Sequence, residues 1–322
     1  MSRILLLDHA ATGAALDTDR LLGALRTALI ATSRGDTSTP PRVAAYAPAG
    51  ILGAMPGYVP GLGLAGKFVS IFSGLGPGGR SAHQGLVALF DENDGHLLAI
   101  MNGEAITARR TTGSATVAFQ ALAPPQVERI AVVGAGTQAR AQLALLQHLE
   151  ADAEIVVSRT PASAAEVADE YGVQASTSVE EAVSGADVVF CCTHAGQPVV
   201  RHAWLRPHAH VSSVGGSLGP ELEHATVTGG SLFVEWPGAS TCAPPAGAHE
   251  LQDVPDGHAR LVGEVLARDV LARDVLAGDV PARTADELTV FKSTGYAALD
   301  VAAAAATYEA ATAAGLGTEV TI

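Results

Sequence analysis

The segment GAGTQA at residues 134–139 carries Gly134, Gly136 and Ala139 at the spacing of a dinucleotide-binding turn. The chemistry such a turn supports is electrostatic. Without side chains in the way, a pyrophosphate can approach the backbone, and a helix opening at Thr137 and Gln138 directs its N–H groups and positive dipole end towards it. Further along stand Ser158, Arg159 and Thr160, where an enzyme using NAD places a carboxylate for the ribose 2′-hydroxyl. An arginine between two hydroxyls suits a 2′-phosphate instead. The pattern predicts NADP(H) as the preferred cofactor, with NAD(H) possible.

Other reactive side chains are less informative. His202, His208 and His210 lack the spacing of a two-histidine metal helix. They read as solvated residues, and no metal is expected. Cys191, Cys192 and Cys242 have neither disulfide nor zinc spacing. They read as free thiols in a reducing cytoplasm, with Cys191 and Cys192 buried at a strand end. Trp204 and Trp236 read as core or interface anchors.

A glycine turn binds phosphate only when a strand feeds it and a helix leaves it. Apolar RIAVV at 129–133 precedes the turn, leucines at helical spacing follow it to about 150, and EIVV at 154–157 closes a βαβ unit. Apolar runs at 187–192, 210–214 and 231–235 extend it into an open, mostly parallel sheet. Upstream, a first strand at 1–8 and a helix at 16–33 lead into short apolar runs over 42–102 that predict a mostly antiparallel sheet, with a hairpin between Phe90 and His96. A long helix at 107–123 ends at Pro124 and Pro125, where a domain boundary is expected. A near-repeat of VLARD over 264–283 reads as a surface helix or loop, and the alanine-rich stretch at 297–314 as a tightly packed helix returning to the first domain.

A chain of 322 residues fits two domains, and 48% hydrophobic with 16% charged residues describes a folded protein. Its formal charge of −14 argues against nucleic acid or an anionic membrane as partner, because both require basic patches. An anionic small molecule would have to be held by a few placed cations. The first apolar run is too short for a secretion signal or membrane span.

Further segments fall in order along the chain: Arg42, Met55 with Pro56, KFVS at 67–70, SAHQG at 81–85, ITARRT at 106–111, GAD at 185–187, VGGS at 214–217 with Glu221 and Glu223, and VFKSTG at 290–295. Together with the glycine turn they make the chain resemble the ornithine cyclodeaminase and mu-crystallin family over nearly its whole length. The resemblance implies an α/β fold in which a Rossmann-type doubly wound parallel sheet at 121–296 is inserted in a mixed α+β substrate and dimerisation domain, 1–120 plus 297–322. It also implies a homodimer.

By the matching positions, Arg42, Lys67 and Arg110 are implied to hold a substrate carboxylate, with Lys67 and Arg110 catalytic. Two arginine forks and a lysine would orient as well as neutralise such a group. Ser81 matches a hydroxyl close to the cofactor. Thr193, Val214 and Ser293 match its nicotinamide side, and Arg110 and Ser217 match positions contacting both cofactor and substrate.

The chain departs from the ornithine cyclodeaminases at Ser217, where they carry an aspartate after two glycines. A serine carries no charge for a substrate ammonium and is a poor base. The mu-crystallin-like ketimine reductases resemble the chain here, at 81–84 and at 158–160. The expectation is therefore an oxidoreductase that reduces the C=N bond of a small cyclic or open-chain imino acid. The alternatives are an ornithine or lysine cyclodeaminase recycling NAD, an amino-acid dehydrogenase or amino-acid-joining enzyme, and a non-enzymatic binder of a small ligand.

Overall fold

The computed structural model describes residues 3–72, 83–274 and 287–321. In chain order the first elements are β1 (Arg3–Leu7), α1 (His9–Ala15), α2 (Thr18–Arg34), β2 (Val43–Ala47), β3 (Gly50–Val59), β4 (Gly63–Phe72), β5 (His83–Phe90), β6 (Leu97–Asn102) and α3 (Gly103–Leu122). Next come β7 (Arg129–Val133), α4 (Thr137–His148), β8 (Glu154–Ser158), α5 (Pro161–Tyr171), β9 (Gln174–Ser176), α6 (Val179–Ser184), β10 (Val188–Cys191), β11 (His210–Ser213), α7 (His224–Gly229) and β12 (Ser231–Val234). The last are α8 (Gly238–Thr241), β13 (Arg260–Leu261), α9 (Val262–Asp274), β14 (Thr289–Lys292), α10 (Ala297–Ala314) and β15 (Thr318–Thr321).

Two compact units result, one of residues 1–110 with 296–322 and one of residues 111–295. The first division falls inside α3, directly after Arg110.

The first unit is a seven-stranded sheet in the order β15-β1-β6-β5-β4-β3-β2. Strands β2 to β6 pair antiparallel with their neighbours, including the hairpin from β5 to β6, whereas β1 runs parallel to β6. Helix α2 is delimited by its own residues. The Asp17 side chain accepts from the Arg20 N–H at its start, and Gly35 takes the left-handed conformation that ends it. Leu21, Leu25 and Leu29 form its buried stripe. The short α1, capped by Asp8, has too few apolar residues to be legible from periodicity.

Helix α10 is buried from Ala297 to Thr307 because alanine lets it sit close on its neighbours, α2, β3 and β4. A Cβ on Gly57 of β3 would lie 2.8 Å from the Ala297 Cβ, so backbone packs against backbone there.

The second unit is an eight-stranded, wholly parallel sheet in the order β13-β12-β14-β11-β10-β7-β8-β9. Strand order reverses beside β7, with β8 on one side and β10 on the other. That is where open parallel sheets bind ligands at their carboxyl edge. Ile130, Val132, Leu143, Leu146, Val157, Val188 and Phe190 form the core beneath this edge.

One expectation is corrected. His210 is fully buried rather than solvated, because its ring nitrogens bond the hydroxyls of Thr289 and Ser212, both at 2.9 Å. His208 lies 3.3 Å from Asp187. Trp236 is buried and donates to Thr294, and Arg201 lies over the half-buried Trp204 ring. Cys191 and Cys192 are buried, and burial pushes both thiols well above the usual range. Of the near-repeat, Val265 and Leu266 are buried in α9, while residues 275–283 lie outside the described residues.

Candidate active site

In the second unit the glycine turn links β7 to α4. Gly134 has φ of 135°, and a Cβ on it would meet the Cys192 carbonyl oxygen at 2.5 Å, so only glycine fits. Its N–H donates to the Ser158 carbonyl at 3.0 Å, which ties the turn to the end of β8. Gly136 is the N-cap of α4. No side chain caps the helix, and a Cβ on Gly136 would touch nothing within 4 Å.

Thr137 is exposed, and the half-buried Gln138 has an unpartnered amide oxygen. The Ser158 hydroxyl is buried without a hydrogen-bond partner among the described residues, while Arg159 and Thr160 are exposed beyond it. The close-packed glycine, the open helix start and the hydroxyl in need of a partner fit the pyrophosphate and ribose of a dinucleotide.

Thr193, Val214 and Ser293 follow the carboxyl ends of β10, β11 and β14. The Val214 N–H donates to Cys191 at 3.0 Å and the Ser293 N–H to Ser213 at 2.9 Å, which keeps the three strand ends in line. Ser217 is exposed, and its hydroxyl lies 3.0 Å from His194 Nδ1. Ser81 lies outside the described residues.

Beneath this edge is a buried ionic network that the motifs did not reveal as such. Glu221 Oε1 accepts from the Thr193 N–H and hydroxyl. Its Oε2 accepts from the Ser213 hydroxyl at 2.7 Å and the Gly215 N–H at 2.9 Å. Lys292 donates to the Ser213 hydroxyl and the Gly215 carbonyl, both at 2.8 Å, and pairs with Glu250 at 3.0 Å. The signal available in the sequence was a lysine inside the apolar run TVFK.

In the first unit, β4 delivers Lys67, α3 delivers Arg110, and both meet Asp300 of α10. Lys67 Nζ is 3.3 Å and Arg110 Nε 3.1 Å from the same oxygen, Oδ1. All three are buried, and Oδ2 of Asp300 has no hydrogen-bond partner among the described residues. Burial pulls Lys67 down to about 8. The Asp300 charge opposes that, while Arg110 and Arg42 add to it. Arg42 is half-buried just before β2, close enough to act on the Lys67 charge.

The structure therefore brings Lys67 and Arg110 into direct contact through Asp300. The matched motifs did not include that aspartate, although a lone acid among the alanines and aliphatic residues of 297–307 was its signal. Such a cluster can hold an anion and supply a proton.

Known proteins carry related sequences and folds. The sequence model of one family, described as the ornithine cyclodeaminase/mu-crystallin family, matches residues 4–315. The ketimine reductase mu-crystallin of Mus musculus is 32% identical over 266 residues, spanning 81% of this chain and 80% of its own. A Δ(1)-pyrroline-2-carboxylate reductase of Paracoccus denitrificans is 31% identical over 265 residues, covering 79% of this chain and 81% of that protein. The solved Thermococcus litoralis Δ(1)-pyrroline-2-carboxylate reductase, in complex with NADH and L-proline, superposes with a TM-score of 0.84 at 27% identity. That match covers 98% of this chain and 100% of the other.

Proposed function

The chain belongs to the ornithine cyclodeaminase/mu-crystallin family, and from that premise we propose that it is an NAD(P)H-dependent oxidoreductase that reduces the C=N bond of a small imino acid to the amino acid. The observation that carries the reading is that, among the described residues, two buried cations share one buried acid. Lys67 and Arg110 share Asp300, and Arg42 acts on Lys67 from nearby. Buried charge without enough counter-charge is costly, so the cluster favours an anionic ligand. A substrate carboxylate meets that need.

In this reading Arg42 and Arg110 orient the carboxylate, and Lys67 gives a proton to the imine nitrogen, which makes the adjacent carbon more electrophilic. Gly134, Gly136, Thr137 and Gln138 hold the pyrophosphate, while Thr193, Val214 and Ser293 flank the nicotinamide. When bound, the cofactor supplies the hydride. Arg159, with Ser158 and Thr160, favours NADPH, since no carboxylate follows β8 to select NADH. At the Gly215–Gly216 turn the side chain is the Ser217 hydroxyl, bonded to His194. The lack of a carboxylate at Ser217 favours net reduction over cyclodeamination.

A homodimer is part of the same proposal. One face of the seven-stranded sheet exposes Val43, Leu52, Leu64, Phe68 and Leu86. Phe68 is in register with Leu86 on one side and Ala54 on the other, so these residues form a continuous apolar band. Among the described residues no helix is long and apolar enough to cross a membrane. With three free cysteines the protein is assigned to the cytoplasm.

The deciding experiment mixes the purified protein with NADPH or NADH and either Δ(1)-pyrroline-2-carboxylate or Δ(1)-piperideine-2-carboxylate, and follows loss of dihydronicotinamide absorbance. Consumption of NADPH with formation of the cyclic amino acid is the expected result. Ammonia release from ornithine or lysine with NAD⁺, and no imine reduction, would overturn it in favour of the lyase.

A further inference from the structure

Of the 19 lysines and arginines in the chain only two are lysines, Lys67 and Lys292. Both are buried, at 4% and 1% exposure, and each meets a buried carboxylate. Ammonium and guanidinium are not equivalent, because the ammonium is compact and can lose its proton inside a protein. The chain uses that group at two interior positions and arginine for every other permanent cation.

The two lysines differ in how fully they are bonded. Lys292 has three N–H groups and three acceptors, the Ser213 hydroxyl, the Gly215 carbonyl and Glu250. It is a strut. Lys67 has one hydrogen-bond acceptor among the described residues, Asp300 Oδ1, which it shares with Arg110. Among the described residues two of its N–H groups are left for another partner, and Oδ2 of Asp300 is equally unmatched.

Asp300 itself is held rigidly, near the start of a helix whose Ala297 packs against Gly57 and whose next turn is alanine. A short side chain on a fixed backbone makes a firm anchor. Long lysine and arginine side chains gain their aim from it.

We propose that Asp300 is a positioning residue for the reduction. Its Oδ1 grips Lys67 and Arg110 together, keeps the proton on Lys67, and aims two of that ammonium's N–H groups at the imino-acid substrate. The inference rests on the reading of Lys67 as the proton source. In the step it supports, an N–H bond of Lys67 breaks, and its proton joins the imine nitrogen as the carbon receives the hydride. The electron pair stays on the lysine nitrogen, and the neutral amine regains a proton from water.

Among the described residues the charged groups that face Lys67 are Asp300, Arg110 and Arg42. Burial and the two arginines all favour the neutral amine, and Asp300 alone opposes them.

With only two lysines, selective labelling at 13Cε gives two side-chain signals, and Lys67→Arg identifies which is which. The pH titration of the Lys67 signal is then compared in wild type, Asp300→Asn and Asp300→Glu, with the kcat and KM of imine reduction measured on the same samples. In Asp300→Asn the Lys67 midpoint is expected to fall by about one unit or more, and the alkaline limb of the rate profile moves to lower pH with it. Asp300→Glu keeps the charge but lengthens the arm. It should leave the midpoint close to wild type while kcat drops about tenfold or more and KM changes little.

An unchanged Lys67 midpoint in Asp300→Asn overturns the proposal whether or not the enzyme is active. If Asp300→Asn does not fold, Asp300→Glu decides, and wild-type kcat in that variant overturns the proposal. Absence of imine reduction in the wild type would instead overturn the reading of the function. The titration would then still report whether Asp300 holds the Lys67 proton.

Discussion

Glu221 holds Thr193 by two bonds to one carboxylate oxygen, accepting from its backbone N–H at 2.7 Å and from its hydroxyl at 2.6 Å. The other oxygen holds Ser213 and Gly215. One buried acid thus fixes the loops leaving β10 and β11. All four contacts are donors, so a glutamine would turn an N–H group towards a donor. Glu221→Gln is expected to destabilise the fold by about 2–3 kcal/mol and to weaken dinucleotide binding. Urea unfolding and cofactor titration measure the two effects. Wild-type affinity for the dinucleotide would show that the nicotinamide end does not depend on this anchor.

Lys292 is the counter-ion of that network. Replacing it with methionine leaves Glu250 buried beside Gly216 with no cation, which costs about 3–5 kcal/mol. Arginine is no substitute, since the Ser213 hydroxyl, the Gly215 carbonyl and Glu250 converge on one compact ammonium, a point charge that a planar guanidinium does not reproduce. Combining Lys292→Met with Glu250→Gln should cost less than the sum of the two single changes. Strict additivity in chemical unfolding would mean that the pair contributes nothing as a pair.

The parallel sheet, the glycine turn and α10 were legible because their signals are local: apolar runs, small residues at fixed spacing, an unbroken alanine stretch. Arg42, Lys67 and Arg110 were reached through the family resemblance rather than through any spacing, and the structure supplied the common partner of Lys67 and Arg110. Asp300 lies 233 positions from Lys67 and 190 from Arg110, so no local pattern links them. The Glu221–Lys292–Glu250 network was missed for the same reason, because its members come from three separate segments. His210 was misjudged because polarity predicts exposure on average. Here Thr289 and Ser212 give the buried ring both hydrogen bonds it needs.

Arg159 stands exposed after β8 with no acid at its side in sequence, which sets the expected cofactor preference. Arg159→Ala should raise KM for NADPH about tenfold or more, the loss of a charge-assisted phosphate contact, with little change for NADH. Steady-state kinetics with both cofactors check it. Equal losses for the two would remove Arg159 from phosphate recognition.

Lys67, lowered to about 8, ties both activity and stability to alkaline pH. As a proton donor it must be charged. The rate of imine reduction, as kcat/KM, is therefore expected to fall above about pH 8, and Lys67→Met should lose the reaction at every pH. The effect on stability has the opposite sign. Below about 8 folded and unfolded chains both carry the proton, and the fold bears the full cost of burying it. Between about 8 and the ordinary lysine value of 10.5 the folded chain has released the proton while the unfolded chain keeps it, so stability contributed at this position rises with pH. The gain across that window is about 3 kcal/mol. Other groups titrate in the same range, so the measurement is the difference in urea stability between wild type and Lys67→Met as a function of pH. A difference that stays flat from pH 7 to pH 10 would mean that Lys67 holds its proton as an exposed lysine does, and an alkaline limb in the rate would then need another group.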